Sequence, residues 1–137
     1  MREILFRGKR IIDNEWIEGF YFKAKCYITD EELSDYISIP HREEKCRPSE
    51  TFMVWHETVG QFTGLTDKNG KKIFEGDIVK YGDTVHEVVF EQRNGTAYFG
   101  LVYNELETLP FGHYQDLRQI EVIGNIHDNP ELLNLRR

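Results

Sequence analysis

A chain of 137 residues is long enough for one domain or two small lobes sharing a core, and a chain of that size buries roughly two-thirds of its unfolded surface without needing disulfides or metal. With 39% hydrophobic and 30% charged residues it lies outside the disordered class, and its net charge of −7 repels phosphate and so disfavours nonspecific nucleic-acid binding. No apolar run approaches the roughly 18 residues that a membrane span needs.

Aromatic residues make up 13% of the chain, which favours half-buried pleated surfaces and therefore strands. Cys26 and Cys46 form no CxxC pair, and Met1 to Arg10 lacks the apolar core of a secretory signal. A cytoplasmic, reduced protein is the simplest reading. The short basic clusters (Arg7, Lys9, Arg10; Lys68, Lys71, Lys72; Arg136, Arg137) read as solvated turns or termini.

In chain order, Ile4 and Phe6 face Ile11 and Ile12 across a turn expected at Gly8–Lys9, a first hairpin. Trp16 to Phe22 is a strand in which Gly19 marks a bulge or a close backbone approach. Thr29 with Glu32 three residues later has the form of a capping box, and predicts one helical turn up to Leu33. Tyr36 to Ile39 alternates as a short strand. Residues 41–50 have no apolar period and read as a surface loop. Thr51 to Trp55 and Val59 to Thr63 are extended.

Asn69–Gly70 is a strong hairpin signal, and Asn94–Gly95 is a second one. Between them Glu75–Gly76–Asp77 and Gly82–Asp83 punctuate strands at Asp77–Tyr81 and Thr84–Glu91. Ala97 to Tyr103 and Ile120 to Ile126 complete the set, and the segment from Asn104 to Gln119 gives no clear period. Asn129 as N-cap, Pro130 at the first helical position and Glu131 near the positive dipole end predict a short closing helix.

Three segments together resemble the YopX family. They are Arg2 to Arg7, the central run from Glu57 through Asp67–Lys68–Asn69–Gly70–Lys71 to Val79, and Ile120 to Leu133. The resemblance implies a phage or prophage protein without a settled biochemical activity, so no catalytic or binding residue carries over from it. It also implies a mainly β, overall α+β chain. An N-terminal mixed, β-rich lobe spans 1–70 with a variable loop. A C-terminal SH3-like small barrel spans 71–137 and ends in the short helix. The turn spacing from Glu75 to Ile126 fits such a barrel.

Several constellations bear on chemistry. Asp67–Lys68–Asn69–Gly70 opens like a calcium loop but lacks the later oxygen ligands, which leaves a hairpin turn. Glu75 and Asp77 flank Gly76 and place two carboxylates at one turn, either as an acid–base pair or as turn chemistry in which Asp77 accepts nearby amides. The five histidines, His41, His56, His86, His113 and His127, share no metal-ligand spacing, and Cys26, His41 and Cys46 match no zinc pattern. Neither a catalytic motif nor a cofactor motif is found, so no catalytic, cofactor or metal residue is assigned. The aromatic set Trp16, Phe20, Tyr21, Phe22, Tyr27, Trp55, Tyr98 and Tyr103 is expected to fill a thin core, with some members at an interface.

The function expected is a non-enzymatic interaction or assembly module. Its partner is a phage or host protein, or further copies of the chain. A nucleic-acid-binding small barrel is the first alternative, and an enzyme using Glu75 and Asp77 with a histidine is the second.

Overall fold

The computed structural model describes residues 3–25, 33–39, 50–104, 107–111 and 116–136. The chain divides into two compact units, Met1–Phe62 and Thr63–Arg137. The first unit holds β1 (Phe6–Lys9), β2 (Trp16–Lys25), β3 (Leu33–Ile39), β4 (Glu50–Met53) and the start of β5 (Gly60–Thr66). Its strand order is β4-β3-β2-β1-β5, and each of these neighbours pairs antiparallel.

The first hairpin turns later than its composition suggests. Gly8 and Lys9 lie inside β1, and the turn falls at 11–15, where Asn14 takes a φ of 60°. Gly8 is needed in the strand rather than at a turn. A Cβ there would stand 3.2 Å from both Ile37 Cδ1 and Val54 Cβ. Gly19 meets the same requirement more sharply, since its Cβ would lie 2.3 Å from the Ser38 carbonyl oxygen. The register of β2 runs through Gly19 without a shift, so the residue marks a close approach and not a bulge. These two glycines let the sheet curl around Ile37 and Val54, both buried. One bridge, Arg10–Val54, fastens the end of β1 to the end of β4.

The second unit holds the rest of β5 with β6 (Lys72–Phe74), and then β7 (Asp77–Tyr81), β8 (Thr84–Arg93), β9 (Thr96–Asn104), β10 (Glu107–Pro110) and β11 (Ile120–Asn125). The last five form an antiparallel sheet in the order β10-β9-β8-β7-β11. Its core is aliphatic: Ile73, Val79, Val88, Leu101, Ile120 and Val122, with Tyr81 and Tyr103 packed against it. Asn94 and Gly95 both take positive φ, 52° and 77°, as a two-residue hairpin joining antiparallel strands requires. In the other Asn-Gly pair, Gly70 alone does so.

The expected α+β class with a closed SH3-like barrel over 71–137 is corrected. Both sheets are open, with β10 and β11 at opposite edges of the five-stranded one. Register shifts at Glu107/Thr108 and at Val122/Gly124, and the stop at Pro110, keep the edge strands short and irregular. Among the described residues there is no α-helix. The expected closing helix is a 3-10 helix, Pro130–Arg136, and the two other helical pieces are three-residue 3-10 turns, His56–Thr58 and Leu117–Gln119. Seven residues are too few to offset the cost of α-helix nucleation. Asn129 opens this segment, its carbonyl accepting from Leu132 N–H at 3.0 Å and its Oδ1 from Asn125 N–H at 3.3 Å. Leu33 opens β3 rather than a helix, and the rest of the predicted turn at Thr29–Leu33 lies outside the described residues.

Asp67 is the polar keystone of the second unit, only 6% exposed. Its Oδ1 accepts from Asn69 N–H at 2.8 Å and Lys71 N–H at 2.9 Å, and its Oδ2 accepts from Val122 N–H at 3.0 Å. Burial works against the charge, but the N–H groups of Val122, Lys71 and Asn69 and the cation of Lys71 outweigh it and hold the carboxyl below its ordinary range. A group with a lowered folded pKa stabilises above its unfolded value, and that contribution is lost as pH falls through the folded one. Asp67→Ala is therefore expected to cost about 3 kcal/mol at neutral pH, because it strands buried N–H donors. In urea unfolding, the gap between wild type and variant should stay constant above about pH 5 and narrow below about pH 4.

Candidate interaction face

The residues expected to carry chemistry are engaged in structure. Asp77 is 1% exposed, and its Oδ2 accepts from Phe74 N–H at 2.7 Å, which closes the turn around Gly76. Gly76 itself has a φ of 91°, and its N–H donates to the Val88 carbonyl at 2.8 Å. Asp67 spends both oxygens on backbone amides, which is turn chemistry and not a calcium loop. His86 is buried between Thr84 Oγ1 at 2.8 Å and the Val102 carbonyl at 3.0 Å, with its ring 4.3 Å from that of Tyr103. Cys26, His41, Cys46, Tyr27 and His113 lie outside the described residues.

A polar cluster that sequence spacing does not reveal sits in the first unit. Asp35 on β3, 7% exposed, accepts from the Tyr21 hydroxyl on β2 and from His56 Nδ1 at 3.0 Å. Residues 21, 35 and 56 share no motif; the strand register and the 3-10 turn bring them together. Burial raises the Asp35 carboxyl, yet the hydrogen bonds from Tyr21 and His56 and the charges of His56 and Lys23 hold it below its usual range. Burial, followed by the bond and charge of Asp35, pushes the Tyr21 phenol up to about 12. The bond to Asp35 holds a proton on His56 Nδ1 and orients a largely exposed ring. The cluster ties β2, β3 and the turn after β4 together. Since the protonated phenol makes the bond, its contribution is complete below about pH 10 and is lost as pH rises toward about 12. In an ultraviolet titration one phenol should ionise near pH 12, and Asp35→Asn should move that step downward.

The opposite face of the same sheet is open. Residues of β2 alternate, so Trp16, Glu18, Phe20 and Phe22 project to one side. The register sets Phe22 beside Tyr36, Tyr36 beside Met53, and Phe20 beside Ser38. Phe22 and Tyr36 stack, with ring centroids 5.4 Å apart and planes 15° apart. Phe20 is 59% exposed and Phe22 42%. At one end Arg7 and Lys9 lie over the Trp16 ring, 4.7 and 5.4 Å from its centroid. The aromatic set therefore does not fill the core as expected. Tyr103 packs against the buried cluster of its own unit, while Phe20, Phe22 and Trp55 face solvent. Among the described residues eight large hydrophobic side chains are exposed. Seven of them, Ile4, Ile11, Ile12, Phe20, Phe22, Leu33 and Trp55, belong to the first unit, which locates the candidate binding surface there.

Among the described residues no helix is long and apolar enough to cross a membrane. No curated protein matches the chain. The crystal structure of protein EF1440 from Enterococcus faecalis is similar: 29% identical, aligned over 97% of this chain and 99% of that one, with a TM-score of 0.52. The YopX protein family matches residues 5–134, nearly the whole length, and the chain therefore belongs to this family of phage and prophage proteins.

Proposed function

We propose that the protein is a cytoplasmic, non-enzymatic interaction or assembly module that engages a protein partner through the open face of β2 and β3. The observation that carries this reading is the aromatic patch of Phe20, Phe22 and Tyr36, whose cross-strand neighbours on β3 and β4 (Ser38, Thr51, Met53) are uncharged. Exposed aromatics concentrated on one unit are costly to leave in water and mark a surface that is covered in use. Such side chains also supply most of the energy at protein interfaces, because they bury large area at little entropic cost. The acidic chain supports a protein partner over a polyanion. The Glu75–Asp77 turn gives an enzymatic reading little support, since the Asp77 carboxylate closes its own turn.

The test is affinity capture from a lysate of the host, with nuclease present. A stoichiometric, nuclease-resistant protein is expected with the wild-type chain. Phe20→Ser with Phe22→Ser should abolish its capture while the chain stays folded, its melt lowered only by the loss of the Phe22–Tyr36 stack, since truncating two interface aromatics costs about 4 kcal/mol of binding. Capture unaffected by the double substitution would place the partner elsewhere, and nuclease-sensitive capture would indicate nucleic acid.

A further inference from the structure

We propose that the outer edge of β4 is a self-association surface, and that its occupant is β4 of a second copy of this chain, antiparallel and centred on Thr51. Among the described residues β4 is the last strand of its sheet, with β3 on one side and, on the other, the chain at Lys9–Ile11 meeting it from Met53 onward. Val54 N–H donates to the Asp35 carbonyl of β3 at 2.9 Å, whereas the Met53 carbonyl accepts from Ile11 N–H at 3.0 Å on the opposite edge. Backbone groups of successive strand residues point to alternate edges. The N–H and C=O of Thr51 therefore point outward, on the same edge as the Met53 carbonyl. The chain at Ile11 covers that edge at Met53 and stops short of Thr51.

Beside this edge lies a groove of about 440 Å³ lined by Arg10, Ile11, Ile12, Thr51, Phe52 and Met53. Ile12 is 80% exposed. An outward-facing backbone pair beside an apolar groove is chemistry that selects an extended strand over a helix or a nucleic acid.

Register and charge select a second copy. In a twofold pairing centred on Thr51, the two threonines exchange both backbone hydrogen bonds. Glu50 of each copy then lies opposite Phe52 of the other, and residues directly opposite share a sheet face. The Arg10 guanidinium sits over the Phe52 ring, 4.1 Å from its centroid. Each Glu50 carboxylate is thus brought beside the Arg10 guanidinium of the other copy, where it joins the Asp13 carboxylate that pairs with Arg10 at 3.4 Å within the chain, an opposite-charge contact made twice by symmetry. The inference goes beyond the partner face described above, because it uses the edge of the sheet and not Phe20 or Phe22.

The experiment is sedimentation equilibrium of the full chain from about 10 to about 500 µM, the span in which a small edge-to-edge interface passes from free to paired. Wild type is expected to dimerise reversibly. Thr51→Pro deletes the outward N–H and leaves the backbone hydrogen bonds to β3 in place, at the loss of the Thr51 Oγ1 bond to Ser38 Oγ at 3.2 Å, and Glu50→Arg sets like charges together. Each should weaken association at least about tenfold. Glu50→Arg combined with Arg10→Glu should restore it, and Phe20→Ser with Phe22→Ser should leave it intact, which separates this proposal from the reading above. Glu50 is exposed, so its variant carries the test even where proline disturbs folding. A chain that is monomeric throughout the range, or a dimer indifferent to Glu50→Arg, overturns the proposal.

Discussion

The carboxylate of Asp67 binds together parts of the chain that sequence separates by 55 residues. One oxygen holds the turn that follows β5, and the other takes the Val122 N–H of β11. Lys68 N–H adds a bond to the Ile120 carbonyl at 2.9 Å. These bonds occupy the outer edge of β11, whose inner edge pairs with β7. A buried anion is costly unless its lone pairs are filled, and here three amide donors fill them. The cost of the buried charge is what makes the arrangement specific, since a carboxylate displaced from this pocket of amides would have no comparable partners. The order of the second unit follows from that constraint: β11 is fixed beside β7, Ile120 and Val122 enter the core, and an edge that would otherwise invite pairing is covered.

The first unit solves its packing with absence of bulk instead of a charge. Gly8 and Gly19 stand where a Cβ would strike Val54, Ile37 or the Ser38 carbonyl, so the strands can curl tightly around a small aliphatic centre. The inner face takes Phe6, Tyr21 and Phe52, which share it with Gly19 and Ile37. Phe20, Phe22 and Tyr36 are left on the outer side, and the Asp35–His56–Tyr21 cluster staples the inner one. The alternation of β2 and its register with β3 decide that these three rings face outward. The two units also treat their edges differently: β11 is covered by a turn of its own chain, and β4 keeps the backbone of Thr51 turned outward.

This distribution of apolar surface is the basis of the interaction role proposed above. Asp77 and Asp67 are used up in holding turns, and His86 in bridging Thr84 to Val102. What is offered to solvent in quantity is aromatic and aliphatic surface on a rigid, hydrogen-bonded sheet, which is a good base for an interface because little entropy is lost when it is covered.

Turn chemistry was legible along the chain because it is local. Asn94–Gly95, Gly76 and Gly82 act within a few residues, through positive φ that their neighbours in sequence already demand. Gly19, a glycine set inside an aromatic strand, was legible as either a bulge or a close approach, and the unbroken register decides for the second. The family was legible because its segments keep their order. The first turn was misplaced because Gly8 serves a contact with Val54, 46 positions away, and composition cannot distinguish that from a turn. Whether the five-stranded sheet closes depends on how its edge strands meet, which turn spacing does not encode, and the sheet is open. The aromatic residues were assigned to the core on size alone, whereas the strand register, a tertiary property, decided which face each one takes. The Asp35–His56–Tyr21 cluster and the open edge at Thr51 exist only once that register is set. Sequence by itself determined strands, turns and kinship; the folded register determined which side chains are buried, which are joined and which face outward, because burial and hydrogen bonding across distant segments are energies of the whole sheet and not of any local stretch.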